Sequence, residues 1–289
     1  MASGPPVSPR GAPSSSARGE FRLDALTRHR LGLLDLEPEA IEKLSVPART
    51  RTIYEAFLRK IPYENFSNLA RRRNHPAHPD QWPRGTDRLL RDAHENGLGG
   101  TCFSMAYALA DLLRGAGANA HTTLGHHLKK EEPHAAVLVY EDDGPVLYDP
   151  SYFIPRPVPV RPGGAVEDPL FTHTLEARRG PMLTMVQTGP GRPPSALYSL
   201  IPVPASPDIF RSTWIATSFA RPGRPGRIAK RVGDEIRWFG EEKGHLEVLT
   251  PWGTKIVDLG HDVPGELCRT FGVCADVLRA HFSIVPTAR

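Results

Sequence analysis

The 289-residue chain has little cysteine and lacks long apolar runs. Its three cysteines, Cys102, Cys268 and Cys274, are an odd number and form no Cys-x-x-Cys pair, which argues against a disulfide framework and a cysteine-rich zinc site. No run of about 18 or more apolar residues occurs, and the N-terminal residues contain no apolar core of signal-peptide length. These absences predict a protein of the cytoplasm without a membrane partner.

A strong excess of one charge sign is also missing. Lys and Arg number 36 against 32 Asp and Glu, which leaves a formal charge of only +4. Nucleic-acid-binding proteins usually show a sharper basic bias, so we expect no nucleic-acid partner. The 26 glycines and 30 prolines stay below the density of a low-complexity chain, and most of the sequence should therefore fold.

The first part of the sequence predicts a tail followed by helices. Residues 1–20 are rich in Ser, Pro, Gly and Ala, with too few large apolar side chains to offset the entropy of ordering. Residues 21–117 show apolar residues at helical spacing, with Pro47 and Pro62 as breaks, and predict a helical bundle. Within it, the polar and basic stretch Ala70–Asp87 has no period and predicts a surface loop with solvated arginines.

The remaining sequence predicts mainly β-structure and a final helix. Residues 118–222 contain alternating apolar runs that predict an irregular β-barrel, with strand texture continuing to Ile215. Residues 223–289 predict hairpins followed by one amphipathic helix over GELCRTFGVCADVLRAHF, together an α/β lid. The predicted fold class is therefore α+β, built from a helical bundle, a barrel and a lid.

Cys102 lies in a setting that suits a nucleophile. It follows Gly99 and Gly100 and begins a stretch with one apolar helical stripe, so we expect it at a helix N-terminus. A helix N-terminus and a nearby imidazolium both favour the thiolate form of a thiol, which is its reactive form. Glycines permit close approach of a substrate carbonyl, and the N–H groups of the first turn can stabilise an oxyanion. A buried structural cysteine is the alternative for this residue alone.

The hairpin after that helix supplies a candidate base and its partner. If its turn is centred on residues 142–143, Asp149 opposes Ala136, and His134 lies two residues further along the same face. Diagonal neighbours of this kind are about 7–8 Å apart, a gap that an imidazole and a carboxylate can bridge. With Cys102 they would form a catalytic triad. A register shifted by one residue would place the two side chains on opposite faces.

Four segments of the chain resemble the arylamine N-acetyltransferases, whose nucleophile lies in an Arg-Gly-Gly-x-Cys-(Phe/Tyr)-Glu motif. Leu98–Ser104 (LGGTCFS) is similar to that motif, and Ile61–Leu69 (IPYENFSNL) is similar to the family's Ile-Pro-Phe-Glu-Asn-Leu segment. PHAAVLVY and VLYDPSYF resemble the strands that carry the family's histidine and aspartate. The resemblance spans residues 23–153, and the C-terminal portion matches only loosely.

The resemblance implies both a fold and a chemistry. The fold would be a helical bundle, a β-barrel and an α/β lid, with a papain/transglutaminase-like triad of Cys102, His134 and Asp149. The reaction would be ping-pong transfer of an acyl group from acetyl-CoA or another acyl-CoA to a small-molecule amine through acyl-Cys102. No permanently bound cofactor and no metal are implied. The candidate substrate-pocket residues are Phe66, Thr101 and Phe103.

Three departures from the family pattern surround the proposed site. Leu98 stands where the family has arginine and Ser104 where it has glutamate, so two opposite charges are missing together. Joint loss of an ion pair can be nearly neutral, whereas loss of one partner strands a buried charge. Asp149–Tyr152 reads Asp-Pro-Ser-Tyr where the family usually has Asp-Val-Gly-Phe. This third change alters a loop near the cysteine and bears on substrate preference.

Other interpretations remain open at this stage. The same triad would serve an amide synthase or transglutaminase-like enzyme that acts on a carrier-bound acyl substrate. A non-catalytic relative could use the basic residues 71–73 to contact an acidic partner. Imidazoles are common metal ligands, although strand alternation places His126 on the face opposite His121 and His127. The candidate metal ligands are His121, His126, His127, His134 and Asp149.

Overall fold

The computed structural model describes residues 21–74, 78, 81–128, 132–219 and 225–283, and the predicted tail lies outside these ranges. The break predicted at Pro47 lies a few residues earlier, between helices that end at Glu42 and begin at Val46. Pro47 itself lies in the first turn of the second helix, where its missing N–H leaves no hydrogen bond unmade. Among the described residues of the first part, the helices and one short strand are α1 (Ala25–Leu33), α2 (Pro38–Glu42), α3 (Val46–Lys60), β1 (Tyr63–Glu64), α4 (Phe66–Asn74), α5 (Thr86–Asn96) and α6 (Cys102–Gly115).

The prediction of a basic surface loop over 70–87 was wrong at both ends. The three arginines 71–73 belong to α4, and Arg84 is only 2% exposed. The loop was predicted from the lack of a period, and its arginines were expected in solvent because they are charged. The guanidinium of Arg84 is instead buried, because carboxylates from neighbouring elements surround it. Arg84 also donates a hydrogen bond to the carbonyl of Gly99, in the turn before Cys102, and so lies next to the candidate site.

The predicted irregular barrel is present as an eight-stranded antiparallel sheet. Its strands are β2 (Asn119–His127), β3 (Pro133–Glu141), β4 (Gly144–Tyr148), β5 (Val158–Pro159), β6 (Gly164–Glu167), β7 (Thr172–Ala177), β8 (Leu183–Thr188) and β9 (Ser195–Leu200). They are ordered β5-β4-β3-β2-β9-β8-β7-β6. The sheet curls until its two outer strands meet, and Gly164 lies so close to Pro159 that an added Cβ would be 2.0 Å from the Pro159 carbonyl oxygen. The enclosed core includes Leu138, Leu175, Met185 and Tyr198.

One segment predicted as β-structure is a helix, α7 (Pro207–Phe219). Its Phe210 and Trp214, four residues apart, lie on one face and pack against Phe103 of α6 at ring-centroid distances of 5.3 and 6.4 Å. The apolar residues that suggested strands as far as Ile215 thus follow a helical spacing.

The third part is a five-stranded sheet covered by two helices. The strands are β10 (Arg227–Val232), β11 (Glu235–Gly240), β12 (Leu246–Thr250) and β13 (Gly253–Val257), and β1 joins them at the edge next to β10. The predicted single C-terminal helix is two helices, α8 (Val263–Phe271) and α9 (Ala275–Phe282). Gly272 adopts φ +71°, which ends α8, because glycine tolerates this left-handed conformation. No helix among the described residues is long and apolar enough to cross a membrane.

Candidate active site

Cys102 is the first residue of α6, as the sequence predicts. The preceding residue, Thr101, makes no side-chain capping hydrogen bond to the helix within the described part of the chain. The first N–H groups of α6 therefore remain directed at whatever lies beside the thiol, with the positive end of the helix dipole behind them. Cys102 is partly exposed, so a substrate can reach its Sγ.

His134 and Asp149 meet through the predicted hairpin register. Val137 pairs with Tyr148 and Glu141 with Gly144 across β3 and β4, so positions that sum to 285 face each other. His134 lies near the start of β3 and Asp149 directly follows β4. The Nε2 atom of His134 lies 2.8 Å from Oδ2 of Asp149.

The Asp149 carboxylate is fixed from its other side as well. Its Oδ1 accepts hydrogen bonds from the Ser151 backbone N–H (3.1 Å), the Ser151 hydroxyl (2.9 Å) and the Tyr152 backbone N–H (3.3 Å). These donors belong to a 3₁₀ turn over Pro150–Tyr152, which Asp149 caps. These hydrogen bonds orient the carboxylate so that its Oδ2 faces the imidazole.

The electrostatics favour an imidazolium–carboxylate pair. Burial alone would disfavour the charged ring, but the adjacent Asp149 outweighs it, and Cys102 adds to the effect, so the pKa of His134 is raised to about 10. Burial also opposes ionisation of Asp149, yet His134 chiefly, with Tyr198 and Ser151, holds its pKa below the usual value. His134 is 1% exposed and Asp149 is fully buried. The ring is therefore a charged, oriented group at neutral pH.

Cys102 approaches the free side of the His134 ring. Asp149 occupies Nε2, and no described residue comes within hydrogen-bond geometry of the buried Nδ1 atom. Cys102 nevertheless interacts with this ring and favours its protonated form. The structure thus brings together all three residues predicted as a triad, in the order thiol, imidazole, carboxylate.

The thiol and the imidazole open into a cavity of about 280 Å³. Its wall combines residues of the loop that follows β4 with residues of the lid sheet. The lining residues are Tyr63, Cys102, His127, Glu132, His134, Ser151, Tyr152, Phe153, Phe171, Gln187, Arg227, Ala229, Ile236, Trp238 and Leu249. The size and mixed polarity suit a small organic substrate.

The predicted pocket residues lie elsewhere, which corrects the sequence analysis. Phe66 is 1% exposed and packs against His281 and Phe282 in the core of the third part. Phe103 is equally buried and faces α7. Thr101 precedes α6 and is not among the residues that line the cavity. For Phe103, proximity in sequence to Cys102 misled, because successive helical residues point about 100° apart.

A second imidazole, that of His127, lies beside the first, although the sequence suggested His127 only as a candidate metal ligand. The ring of His127 lies 4.9 Å from that of His134, and its Nδ1 is 3.1 Å from the hydroxyl of Tyr152. The sequence held one signal of this contact. Tyr152, whose hydroxyl contacts His127, stands where the motif of the resembling family has phenylalanine. His127 lies two residues beyond Gly125, the cross-strand partner of His134, and so shares its face.

The residues flanking the nucleophile do not form an ion pair. Leu98 is 6% exposed and packs in the apolar core of the third part with Phe66 and Phe239. Ser104 is buried, and its hydroxyl has no hydrogen-bond partner among the described residues. The charges lie instead on Arg84 and Glu64, whose Nη2 and Oε1 atoms are 3.2 Å apart.

The histidines considered as metal ligands do not converge. Among the described residues, no group of three or more His, Cys, Asp or Glu side chains has an arrangement that could hold a metal ion. His121 instead contacts the side chain of Asn119, with 2.8 Å between Nε2 and Oδ1.

The fold is that of the arylamine N-acetyltransferases. The chain is similar to the Salmonella typhimurium arylamine N-acetyltransferase, with a TM-score of 0.73 and 16% identity over 91% of this chain and 100% of that one. The Mycobacterium marinum enzyme in complex with CoA gives a TM-score of 0.68 at 17% identity, over 84% and 96%.

A Bacillus cereus enzyme of the same kind, described as having a unique Cys-His-Glu catalytic triad, gives a TM-score of 0.68 at 14% identity over 87% of this chain and 100% of that one. No protein-family model matches the chain, and no curated protein matches it significantly. These likenesses confirm the predicted three-part α+β fold.

Proposed function

We propose that this protein transfers an acyl group from acetyl-CoA or another acyl-CoA to a small-molecule amine through an acyl-Cys102 intermediate. The observation that carries the proposal is the buried pair of His134 and Asp149 directed at a thiol on a helix N-terminus. The fold shared with arylamine N-acetyltransferases adds support, and one of those proteins was determined with CoA.

In the first half-reaction the Cys102 thiolate attacks the thioester carbonyl. The developing oxyanion lies near the first N–H groups of α6. The carbon–sulfur bond to CoA breaks as the new bond to Sγ forms, and the departing CoA thiolate takes the proton of the His134 imidazolium. The products are acyl-Cys102, CoA thiol and a neutral imidazole hydrogen-bonded to Asp149.

In the second half-reaction an amine attacks acyl-Cys102. The carbon–sulfur bond to Sγ breaks, and the amine proton passes to the neutral His134. The amide leaves, and the thiolate and imidazolium are restored, so protons and charges balance over the cycle. Asp149 stays ionised throughout and stabilises the imidazolium that forms.

Intact-mass spectrometry after exposure to a panel of thioesters tests the proposal. Acetyl-CoA or a longer acyl-CoA should add the mass of one acyl group to the protein, and a subsequent amine should remove it. Cys102→Ala should gain no mass, whereas Cys268→Ala, which changes a thiol of the lid helix, should behave as the unsubstituted protein.

The same experiment separates the competing interpretations. A mass gain only from thioesters of carrier proteins would overturn the CoA donor and favour an amide synthase. Failure of every thioester, together with a Cys102 thiol inert toward iodoacetamide at neutral pH, would favour a non-catalytic relative. Carrier-bound thioesters belong in the panel because Leu98, Ser104 and Tyr152 differ from the residues that the resembling family has around its nucleophile.

A further inference from the structure

Arg84 is a buried cation at the base of the turn that leads to the nucleophile. Its side chain is 2% exposed and surrounded by acceptors. Nη1 donates to Oδ2 of Asp92 at 3.0 Å, and Nη2 donates to the hydroxyl of Ser67 at 2.8 Å. The same Nη2 contacts Oε1 of Glu64 and donates to the backbone carbonyl of Gly99.

Gly99 belongs to a turn that is confined on every side. The Glu64 N–H donates to the Gly100 carbonyl at 3.0 Å, and the Gly100 N–H donates to the Pro62 carbonyl at 3.2 Å. A Cβ at Gly99 would lie 1.6 Å from the Pro62 oxygen. Neighbouring backbone thus places Gly99 and Gly100, and Arg84 reaches the Gly99 carbonyl, three residues before Cys102.

The Glu64 carboxylate, which faces Arg84, is also held in place by hydrogen bonds. Glu64 is fully buried, and its Oε2 accepts the Ser67 N–H at 2.9 Å while its Oε1 accepts the Ser67 hydroxyl. Arg84 therefore connects β1, the start of α4 and the turn before α6. A planar guanidinium can donate hydrogen bonds toward all three of these elements at once, whereas the ammonium of lysine is a point charge on a flexible side chain.

The resembling motif places its arginine directly before the two glycines, at the position that Leu98 occupies here. Leu98 points into an apolar core, so this chain has no cation at that position. We propose that Arg84 is the positioning residue of the nucleophile, and that it orients the Gly99–Gly100 turn, and with it Cys102, from a distant position in the sequence. The inference rests on Cys102 being the nucleophile of the proposed function.

Arg84→Lys tests this role because it keeps the charge and removes the planar fork. The matched control is Arg88→Lys: Arg88 also pairs with Asp92, at 3.3 Å, but is 67% exposed. Arg84→Lys should lower the first-order rate of Cys102 acylation at saturating acetyl-CoA by roughly 10- to 100-fold, the range expected for a misplaced reacting group. The half-saturating acetyl-CoA concentration should stay within about twofold, because Arg84 does not line the cavity.

Alkylation of Cys102 by iodoacetamide supplies a readout that needs no acyl donor. Arg84→Lys should slow it, and Arg88→Lys should leave it unchanged. Equal alkylation rates in the two variants would overturn the inference. If acyl-CoA fails with the unsubstituted protein while iodoacetamide reacts quickly, the proposed function fails and the alkylation comparison still tests Arg84.

A second variant covers the case in which Arg84→Lys does not fold. Arg84→Met combined with Glu64→Gln removes both charges of the pair together, so neither residue is left as a buried charge without its partner. A folded double variant, judged by circular dichroism, should show the same slow alkylation, and full reactivity would contradict the proposal. Loss of folded protein in both variants would assign Arg84 to the stability of the whole fold and would likewise overturn a positioning role.

Discussion

The two halves of the candidate site are held in place by different means. His134 near the start of β3 and Asp149 directly after β4 belong to one antiparallel hairpin, and its register and the turn that follows it bring them to 2.8 Å. Cys102 sits at the end of a turn held by Pro62, Glu64 and Arg84, which come from other elements. The base half is thus local in sequence, whereas the nucleophile half depends on contacts made over 15 to 40 positions along the chain.

This difference teaches where each half is vulnerable. A hairpin tolerates changes at its surface provided that the register holds. The turn before Cys102 has no such tolerance, because it is enclosed by backbone atoms and by a buried charge that depends on its partners. Changes at the surface of the hairpin should therefore be tolerated, whereas changes around the turn should alter both chemistry and stability.

Asp149→Asn should give the largest effect on chemistry. An amide cannot hold the imidazole in the required tautomer or stabilise its charged form, so acylation of Cys102 should slow by roughly 10³- to 10⁴-fold. The variant should also lose stability at neutral pH, because the buried His134 imidazolium loses its charged partner. Stopped-flow acylation and urea unfolding measure the two quantities, and Asp143→Asn in the exposed hairpin turn is the matched control. A less than tenfold loss would contradict the role of Asp149.

Arg84→Met should give the largest effect on stability. It leaves the fully buried Glu64 without its cation, which should cost about 3–5 kcal/mol in the free energy of unfolding. Arg88→Met, which removes an exposed partner of Asp92, should change it by about 0.5 kcal/mol or less. Urea denaturation compares the two variants. Equal midpoints would show that the buried pair contributes no more to the free energy of unfolding than the exposed one.

The pH dependence of stability probes the hairpin half. Because the pKa of His134 is raised to about 10, its contribution to stability is complete below the unfolded value near 6.5 and declines as the pH rises toward 10. The loss should amount to a few kcal/mol, on the order of 1.4 kcal/mol for each pH unit. Thermal unfolding between pH 6 and 10 measures it. His134→Gln should flatten the curve, and an equally steep decline in that variant would exclude His134 as the source.

Gly99→Ala should sharpen the description of the turn. The added methyl group meets the Pro62 carbonyl oxygen at 1.6 Å, so we expect a loss of about 2 kcal/mol or more in the free energy of unfolding. Gly32→Ala is the control, because nothing lies within 4 Å of a Cβ there. Alanine in the last turn of α1 should instead stabilise the protein, by up to roughly 0.5–1 kcal/mol. Chemical denaturation of both variants decides between the two signs.

Tyr152→Phe should give the smallest effect. It removes one hydroxyl, 3.1 Å from Nδ1 of His127, and leaves the aromatic ring of the cavity wall in place. One neutral hydrogen bond is worth about 1 kcal/mol, so the rate of amine-driven deacylation should change by about fivefold. Tyr140→Phe on the exposed side of β3 should have no effect. A change above a hundredfold would indicate that the hydroxyl takes part in proton transfer.

The sequence allowed the base half to be predicted because its determinants are local. Period-two alternation, the position of the turn and strand pairing together place His134 beside Asp149. The helix that begins at Cys102 follows equally from its glycines and apolar stripe. The resemblance then supplied the three-part architecture, which the likeness to known structures confirms.

Most of the failures involve contacts between distant elements. Arg84 was expected on the surface because no local pattern reveals that Glu64 and Asp92 enclose it. Phe66 and Phe103 were expected in the pocket, yet they pack in two different cores. Segment 207–219 is a local failure, because its apolar residues were assigned to strands although Phe210 and Trp214 follow a helical spacing.

The small strand β1 has a consequence for how the molecule is assembled. Tyr63 and Glu64 pair with Ala229 and Ile228, and the lid contributes Arg227, Ile236 and Trp238 to the cavity wall. Since Cys102, His134 and Asp149 all emerge from the ribosome before any lid residue, the growing chain contains the Cys102 thiol before the lid part of the cavity wall exists. A protein ending after α7 would keep the chemical groups but leave one edge of their enclosure open to water.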